Sequence, residues 1–540
     1  MSVPATFSID TGPLPQHPAA LLLGELVLLA CWGVLLAFGA LGLRALRGAA
    51  PDERRLAAWT ALLTLGGIAL RYLAAPATPE MRWRLGFAYD PRWSWELWWN
   101  GWPAMGVEDI QKYGLGWPML ARVAVLLLGR SEAIPFLINP VIGGLCVALM
   151  VGLVRAVGGS PTAALWAGFS VAVTPLMVWY AHTDGPFAAD ALFTLLSLWA
   201  TARYLGTWDR RYLVIGVCAV VSAAQMRVES ASTGVAAALL GVAMWERLPW
   251  RRPEAYAAVA AATLLLAPHA ILISDQLQRE LQARYAEGNT HDEPLTIYSF
   301  LFTNPTMQSS ALILALPLGA LLGPLSWRLR AWALALMMAS ALTIPDVVPT
   351  ETAFSVARYQ MRAMPFAALL AGLGAAWLHA LPPRRLLGGA FAVAALVGLR
   401  LAGTVSVMKS EYDFFAAHLG DVPQPCVIMT WRSQGDTALY VPLHLSRLRG
   451  LDHRWLDVVR DEVPAQGCVW YYRSSGCAQH YRASGEGERH AACADFEARW
   501  APRPVAELAM SPDPVGPMGL ANRLPGVPIP VGFFEVRAGP

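Results

Sequence analysis

The chain of 540 residues is 56% hydrophobic and only 15% charged, with a mean hydropathy of +0.42. Most of it is therefore excluded from a soluble globular fold, because its apolar segments recur at the length of a bilayer crossing. The formal net charge of +3 comes mostly from arginines set between those segments, and no basic patch points to nucleic acid.

In chain order, the apolar segments at roughly 18–43, 55–76, 134–157, 162–181, 186–206, 211–227, 232–247, 254–273, 309–326, 330–347, 364–381 and 386–405 each predict a membrane helix, about twelve in all. The first is too long for a secretory signal peptide and lacks a basic region before it, so it is read as a retained helix.

Arginines mark alternate gaps: Arg44, Arg47, Arg54 and Arg55 after the first segment, then Arg155, Arg203 with Arg210 and Arg211, Arg247 with Arg251 and Arg252, Arg328 with Arg330, and Arg384 with Arg385. The excess of positive charge assigns that face to the cytoplasm. The opposite face then receives both termini and the long segments 77–133, 274–308 and 348–363. The expected protein is a polytopic α-helical one of the cytoplasmic membrane, with its bulk of loops outside.

The first long outer segment, about 77–133, places six tryptophans between Arg82 and Trp102, among acids and arginines. Indole rings favour the boundary between membrane and water, so this stretch predicts a short amphipathic helix on the outer leaflet. Asp90 lies in it, and Glu108 and Asp109 follow. A carboxylate at the mouth of a helix bundle is suited to acid–base work on a lipid-borne substrate.

His182 and Asp184 occupy a tight outer turn ahead of Gly185-Pro186; they suit a divalent metal, the one cofactor these residues suggest, or the positioning of an acceptor. Arg227 and Glu229 lie at the outer junction of two short segments, and Asp190 just inside the fifth. Charges at membrane depth face a cavity or one another, which makes these residues site candidates, with mutual pairing of Arg227 and Glu229 as the alternative. The stretch from Asp275 to Glu293 reads as a long polar loop.

From about 406 charge, Gly and Pro rise, and the runs 426–431 and 468–472 alternate like strands. A small α+β extracytoplasmic domain over 406–540 follows the membrane domain of 1–405. Cys426, Cys468, Cys477 and Cys493 all fall in it, which in an oxidising compartment predicts two disulfides of open connectivity, with zinc as the competitor. Cys31, Cys146 and Cys218 lie in apolar segments as small buried side chains.

Four features together carry a resemblance. Ile68-Ala69-Leu70-Arg71 ends a helix before an acidic outer loop; an apolar helix marked by Tyr113 and Pro118 follows; then come Thr174-Pro175 and the run to Asp184, and later Arg358-Tyr359, Arg362 and Pro365 where the chain re-enters the membrane. This order resembles the GT-C class of integral membrane glycosyltransferases, within it the bacterial branch related to protein mannosyltransferases and aminoarabinose transferases, over roughly residues 60–405. The resemblance implies transfer of a sugar from a polyprenyl-phosphate carrier, normally with inversion, to a lipid, glycan or protein acceptor. The family's first loop often carries an Asp-Glu pair; here Pro91 follows Asp90, and the adjacent acidic pair is Glu108-Asp109. Asp90 is thus the leading base, with Asp109 and Glu108 as alternatives, and Arg358, Tyr359 and Arg362 are suited to the departing phosphate.

Two other functions compete. A transporter or flippase accounts for about twelve spans, but the chain shows neither clear internal repeats nor cytoplasmic termini. A polymerase or ligase of cell-surface polysaccharide shares the outer-face chemistry.

Overall fold

The computed structural model describes residues 18–46, 48, 50–73, 114–129, 134–181, 185–244, 252–287, 309–342, 361–382, 384–402, 411–431, 451, 453–459, 461–474, 477, 491–510 and 529–536. The helices are α1 (Pro18–Leu46), α2 (Pro51–Leu73), α3 (Gly116–Leu128), α4 (Ile134–Ala156), α5 (Pro161–Val173), α6 (Pro175–Tyr180), α7 (Phe187–Thr207), α8 (Arg210–Met226), α9 (Ser232–Ala243), α10 (Pro253–Glu287), α11 (Ser310–Leu322), α12 (Trp327–Leu342), α13 (Met364–Ala380) and α14 (Arg384–Ala402). Every predicted apolar segment holds helix. Among the described residues, four stretches are long and apolar enough to cross a membrane: Ala19–Gly42, Pro51–Leu73, Leu137–Ala156 and Pro253–Leu272.

Two elements differ from expectation. The segment 162–181 is two helices, split at Thr174, because Pro175 has no N–H to offer the Val171 carbonyl one turn back. The guanidinium of Arg71, fully buried on α2, takes that carbonyl through Nη2 at 3.3 Å and its own Gly67 carbonyl through Nη1 at 2.9 Å, while the Thr174 hydroxyl donates to Ser170 O at 2.6 Å. The second difference is α10, which runs on through Glu287 where a polar loop was expected. Its extension reads Asp275-Gln276-Leu277-Gln278-Arg279-Glu280-Leu281-Gln282-Ala283-Arg284, rich in strong helix formers, and helical propensity outlasts hydrophobicity there.

Helix α13 is the centre of the bundle: every residue from Met364 to Ala376 is buried, as an all-round apolar helix requires. Close approach depends on small side chains. Gly319 of α11 rests on the Leu370 carbonyl, Gly374 of α13 on the Ala315 carbonyl, and Gly372 on Ala167 of α5. On the face expected to be cytoplasmic, Asp209 caps α8 by accepting from Arg211 N at 3.0 Å. The Arg211 side chain also pairs with it, and these bonds hold the Asp209 carboxyl below its ordinary range.

Helix α3 is held against the end of α8 by two glycines. Gly114 has φ +87°, a conformation that L side chains rarely adopt. A Cβ on Gly116 would sit 2.8 Å from the Gln225 carbonyl oxygen and 3.0 Å from Met226 N, both backbone atoms. Gly116→Ala is accordingly expected to cost about 1–3 kcal/mol, read as a lower melting temperature in detergent.

Beyond α14, helix α15 (Glu411–His418) leads into a five-stranded sheet of order β2-β1-β3-β5-β4, with β1 (Val427–Thr430), β2 (Arg454–Asp457), β3 (Val469–Arg473), β4 (Arg503–Met510) and β5 (Ile529–Val536). Strands β1, β2 and β3 are parallel; β5 is antiparallel to β3 and to β4. Alternation along β3 sends Trp470 and Tyr472 to one face, where Phe415 of α15 and Phe533 pack, and Val469 and Tyr471 to the other. The second face is covered by α16 (Ala491–Trp500) through Phe496 and Cys493. Arg473 ties the sheet to α16 at 2.8 Å from Glu497 and reaches Glu507 at 3.2 Å.

The structure pairs Cys426 with Cys468 at the adjacent starts of β1 and β3, and Cys477 with Cys493 between the end of β3 and α16. The second bridge spans 16 residues. Replacing Cys477 and Cys493 together by Ser is expected to remove about 3 kcal/mol, the loop entropy such a bridge withholds from the unfolded chain. A denaturant titration of the full chain followed by its tryptophans measures this.

Candidate functional site

The polar residues that the bundle brings together lie at helix ends on the face assigned to the exterior. Helix α7 begins after Gly185-Pro186 and carries Asp190 in its first turn, where the helix dipole favours a carboxylate. That entry is pinned from α4, whose Asn139 donates through Nδ2 to the Gly185 carbonyl at 2.9 Å. Tyr180 and Phe187 close the turn edge to face, with ring centroids 4.8 Å apart.

After α8 the chain makes a short 3-10 turn, Val228–Ala231, before α9. The turn delivers Ser230, fully buried, to Asp190: its hydroxyl donates to Oδ1 at 2.5 Å. From the turn ahead of α13 comes Arg362. Its Nη2 donates to Ser230 Oγ at 2.5 Å, its Nη1 donates to Ser232 Oγ at 3.3 Å, and its Nε stands 3.7 Å from Asp190 Oδ2.

Ser230 is therefore a relay, accepting from the guanidinium and donating to the carboxylate. The Asp190 side chain is 6% exposed and that of Arg362 20%. The pair is largely shielded from water, while the arginine keeps some exposed surface. Arg227, buried, lies with its guanidinium carbon 5.1 Å above the Phe187 ring, and its carbonyl accepts from Ser230 N at 2.9 Å. The cluster thus joins one arginine, one carboxylate and two serines from α7, the 3-10 turn, α9 and the approach to α13, with Arg227 near it at the end of α8. A guanidinium fork of this kind matches the oxygens of a phosphate.

Of the predicted site residues, the structure brings Asp190 and Arg362 together and places Arg227 near them. Glu229 lies in the 3-10 turn, its side chain outside the described residues, and Arg227 stacks on Phe187. Asp90, Glu108, Asp109, His182, Asp184, Arg358 and Tyr359 all lie outside the described residues. Among the described residues no group of three or more His, Cys, Asp or Glu side chains is placed to hold a metal. Asn139, Ser232 and His269 were not singled out from the sequence. The signal was there for two of them: Asn139 in Leu-Ile-Asn-Pro and His269 in Ala-Pro-His-Ala are isolated polar residues inside apolar helices.

Residues 114–272, from the entry of α3 to the middle of α10, match the family model for dolichyl-phosphate-mannose-protein mannosyltransferase. Among solved structures, ArnT from Cupriavidus metallidurans in the apo state matches with a TM-score of 0.54 at 13% identity, covering 90% of this chain and 99% of that one. The same protein bound to undecaprenyl phosphate matches with a TM-score of 0.50 at 12% identity, covering 89% and 99%. A search of curated proteins by sequence finds no match. Matched segment and shared architecture agree: this multi-pass membrane protein is built on the fold of the GT-C class of integral membrane glycosyltransferases.

Proposed function

We propose that the protein transfers a sugar from a polyprenyl-phosphate carrier to an acceptor lipid, glycan or protein at the outer face of the cytoplasmic membrane, with inversion at the anomeric carbon. The observation that carries this is the buried cluster of Arg362, Ser230 and Asp190 at the helix ends of a GT-C fold. It holds a partly exposed guanidinium in one orientation where a carrier's phosphate would lie. The undecaprenyl phosphate in the similar ArnT structure supports a carrier of that chemistry.

In the proposed reaction the acceptor's hydroxyl or amine attacks the anomeric carbon. Its proton passes to a carboxylate, Asp90 first, with Asp109 and Glu108 as alternatives, and the carbon–oxygen bond to the carrier breaks. The carrier leaves as a phosphate whose charge grows along the way. Fixed cations aimed at that charge lower the barrier because they need no reorganisation when it develops. Arg362 is the leading cation, with Arg358 and Tyr359 beside it in sequence. Asp190 and Ser230 act through Arg362 by fixing its fork. Arg227 and Glu229 border the same cluster, and His182 and Asp184 are the candidates for a divalent ion or for the acceptor. The proposal also puts both termini and the domain of 406–540 outside.

The test is transfer of radiolabelled sugar from undecaprenyl-phosphate-linked donors by purified protein in liposomes. Incorporation into a lipid or glycan acceptor is expected. A folded wild type that neither transfers from nor binds these carriers overturns the proposal and favours a transporter.

A further inference from the structure

Helix α2 carries a charge that the bundle around it does not neutralise. Arg71 is fully buried near the C-terminal end of that helix, and none of the described carboxylates forms an ion pair with it. Burying a guanidinium within a membrane helix is costly, so its presence points to a role. What Arg71 holds is backbone. Its Nη2 donates to the Val171 carbonyl at 3.3 Å, the carbonyl that Pro175 cannot serve, and its Nη1 donates to Gly67 O at 2.9 Å.

The same side chain supports the far end of α6. A Cβ built on Gly143 of α4 would lie 2.8 Å from Arg71 Nε and 2.9 Å from Ala181 Cβ, so the guanidinium and the residue after α6 meet over one glycine. A Cβ built on Gly67 would lie 3.3 Å from Arg71 Nη1 and 3.4 Å from Ala172 Cβ. Arg71 is thus wedged between α2, α4 and both sides of the break at Thr174, with Val171 and Ala172 before it and Ala181 after it.

From α6 the path to the arginine cluster is short. Tyr180, the last residue of α6, packs edge to face on Phe187; Phe187 lies under the Arg227 guanidinium, and Asp190 follows in the first turn of α7. Beside Arg71, the Cys146 thiol of α4 reaches the Ala188 carbonyl of that same turn at 3.8 Å. A hydroxyl or a water molecule satisfies a single carbonyl at smaller cost. A guanidinium instead spans fixed points on several elements, and its planar fork keeps their directions.

Resting on the glycosyltransferase function above, we propose that Arg71 is a positioning residue for the carrier site. By fixing the break at Thr174 and Pro175 it sets the course of α6 and the head of α7, and so the placement of Asp190 against Ser230 and Arg362.

Two substitutions separate that role from the mere pairing of a carbonyl. Arg71→Met leaves the Val171 carbonyl without its donor. Adding Pro175→Ala restores an N–H one turn from that carbonyl, which lets α5 and α6 run on as one helix and pairs the carbonyl without the guanidinium. The purified proteins are compared by melting in one detergent and by transfer in liposomes from undecaprenyl-phosphate-linked mannose and 4-amino-arabinose.

Arg71→Met alone is expected to melt lower and to transfer poorly. In the double variant melting recovers toward wild type, while kcat/KM stays down roughly ten- to a hundred-fold, chiefly through the donor KM. Gly143→Ala, which keeps every hydrogen-bonding group and pushes Arg71 away from Ala181, shares the rise in KM. A further readout needs no sugar: the stability coupling between Asp190 and Arg362, taken from a double-variant cycle, shrinks in the Arg71→Met/Pro175→Ala background.

Recovery of both melting and donor KM in the double variant overturns the proposal, for Arg71 is then only a partner for a carbonyl. An Asp190–Arg362 coupling that is the same with and without Arg71 overturns it as well. A folded wild type that transfers from neither donor overturns the transferase function instead, and the coupling cycle then decides by itself whether Arg71 sets the cluster.

Discussion

Asp90→Asn is expected to lower sugar transfer by about a hundred- to ten-thousand-fold while leaving the melting temperature and the binding of undecaprenyl phosphate unchanged. The acceptor's proton becomes acidic only as its bond to the anomeric carbon forms, so a base must be in place during that step. An amide of the same shape preserves the local contacts and cannot take the proton. The Trp-rich stretch around Asp90 would hold it at the mouth of the bundle, where a lipid-borne donor meets an acceptor arriving from water. Near-normal turnover in the variant moves the role to Asp109 or Glu108, which the same assay with Asp109→Asn and Glu108→Gln distinguishes.

Asp190→Ala acts on a different quantity, the integrity of the cluster, and about 3–5 kcal/mol of folding stability should be lost with it. The carboxylate is almost fully enclosed, accepts from Ser230 at 2.5 Å and faces Arg362 Nε at 3.7 Å. At that separation the two ions attract without a direct hydrogen bond, and Ser230 supplies the link. Removing the acid leaves a guanidinium that is only one-fifth exposed beside a serine that has lost its acceptor. Asp190→Asn, which keeps an acceptor for Ser230 but not the charge, should fall between. The double variant Asp190→Leu with Arg362→Met should be more stable than the sum of the single losses, because it removes the pair rather than half of it. Melting curves of wild type, Asp190→Leu, Arg362→Met and the double variant in one detergent decide this, and additive losses would show that the two side chains are not coupled.

The two predictions separate the chemistry from its scaffold. In the proposed reaction Arg362 receives the carrier's phosphate, and Asp190 sets its direction through Ser230. Transfer by an Asp190→Asn protein that still folds should therefore fall mainly through weaker capture of the carrier.

Hydrophobicity, charge bias and strand alternation are properties of short stretches, and much of the local structure followed from them. The helical segments, the strands at 427–430 and 469–473, and the concentration of four cysteines in one region could all be read residue by residue. Averaging over such windows is also what hid the break at Thr174, where a single missing N–H outweighs the apolar run around it. The same averaging concealed the tail of α10, where a polar helix continues after hydropathy has dropped.

What no window contains is which distant segments meet. Ser230 finds Asp190 across 40 residues and Arg362 finds Ser230 across 132. Cys426 pairs with Cys468 because β1 and β3 lie side by side in the sheet. Gly114 meets both the Gln225 carbonyl and the His269 ring, on helices far apart in the chain. The sequence by itself determined that this chain is a multi-pass membrane protein, because transfer from water to lipid is summed locally. Only the tertiary structure decided which polar groups share a site, because pairing of buried charges and hydrogen bonds depends on packing between helices far apart in the chain.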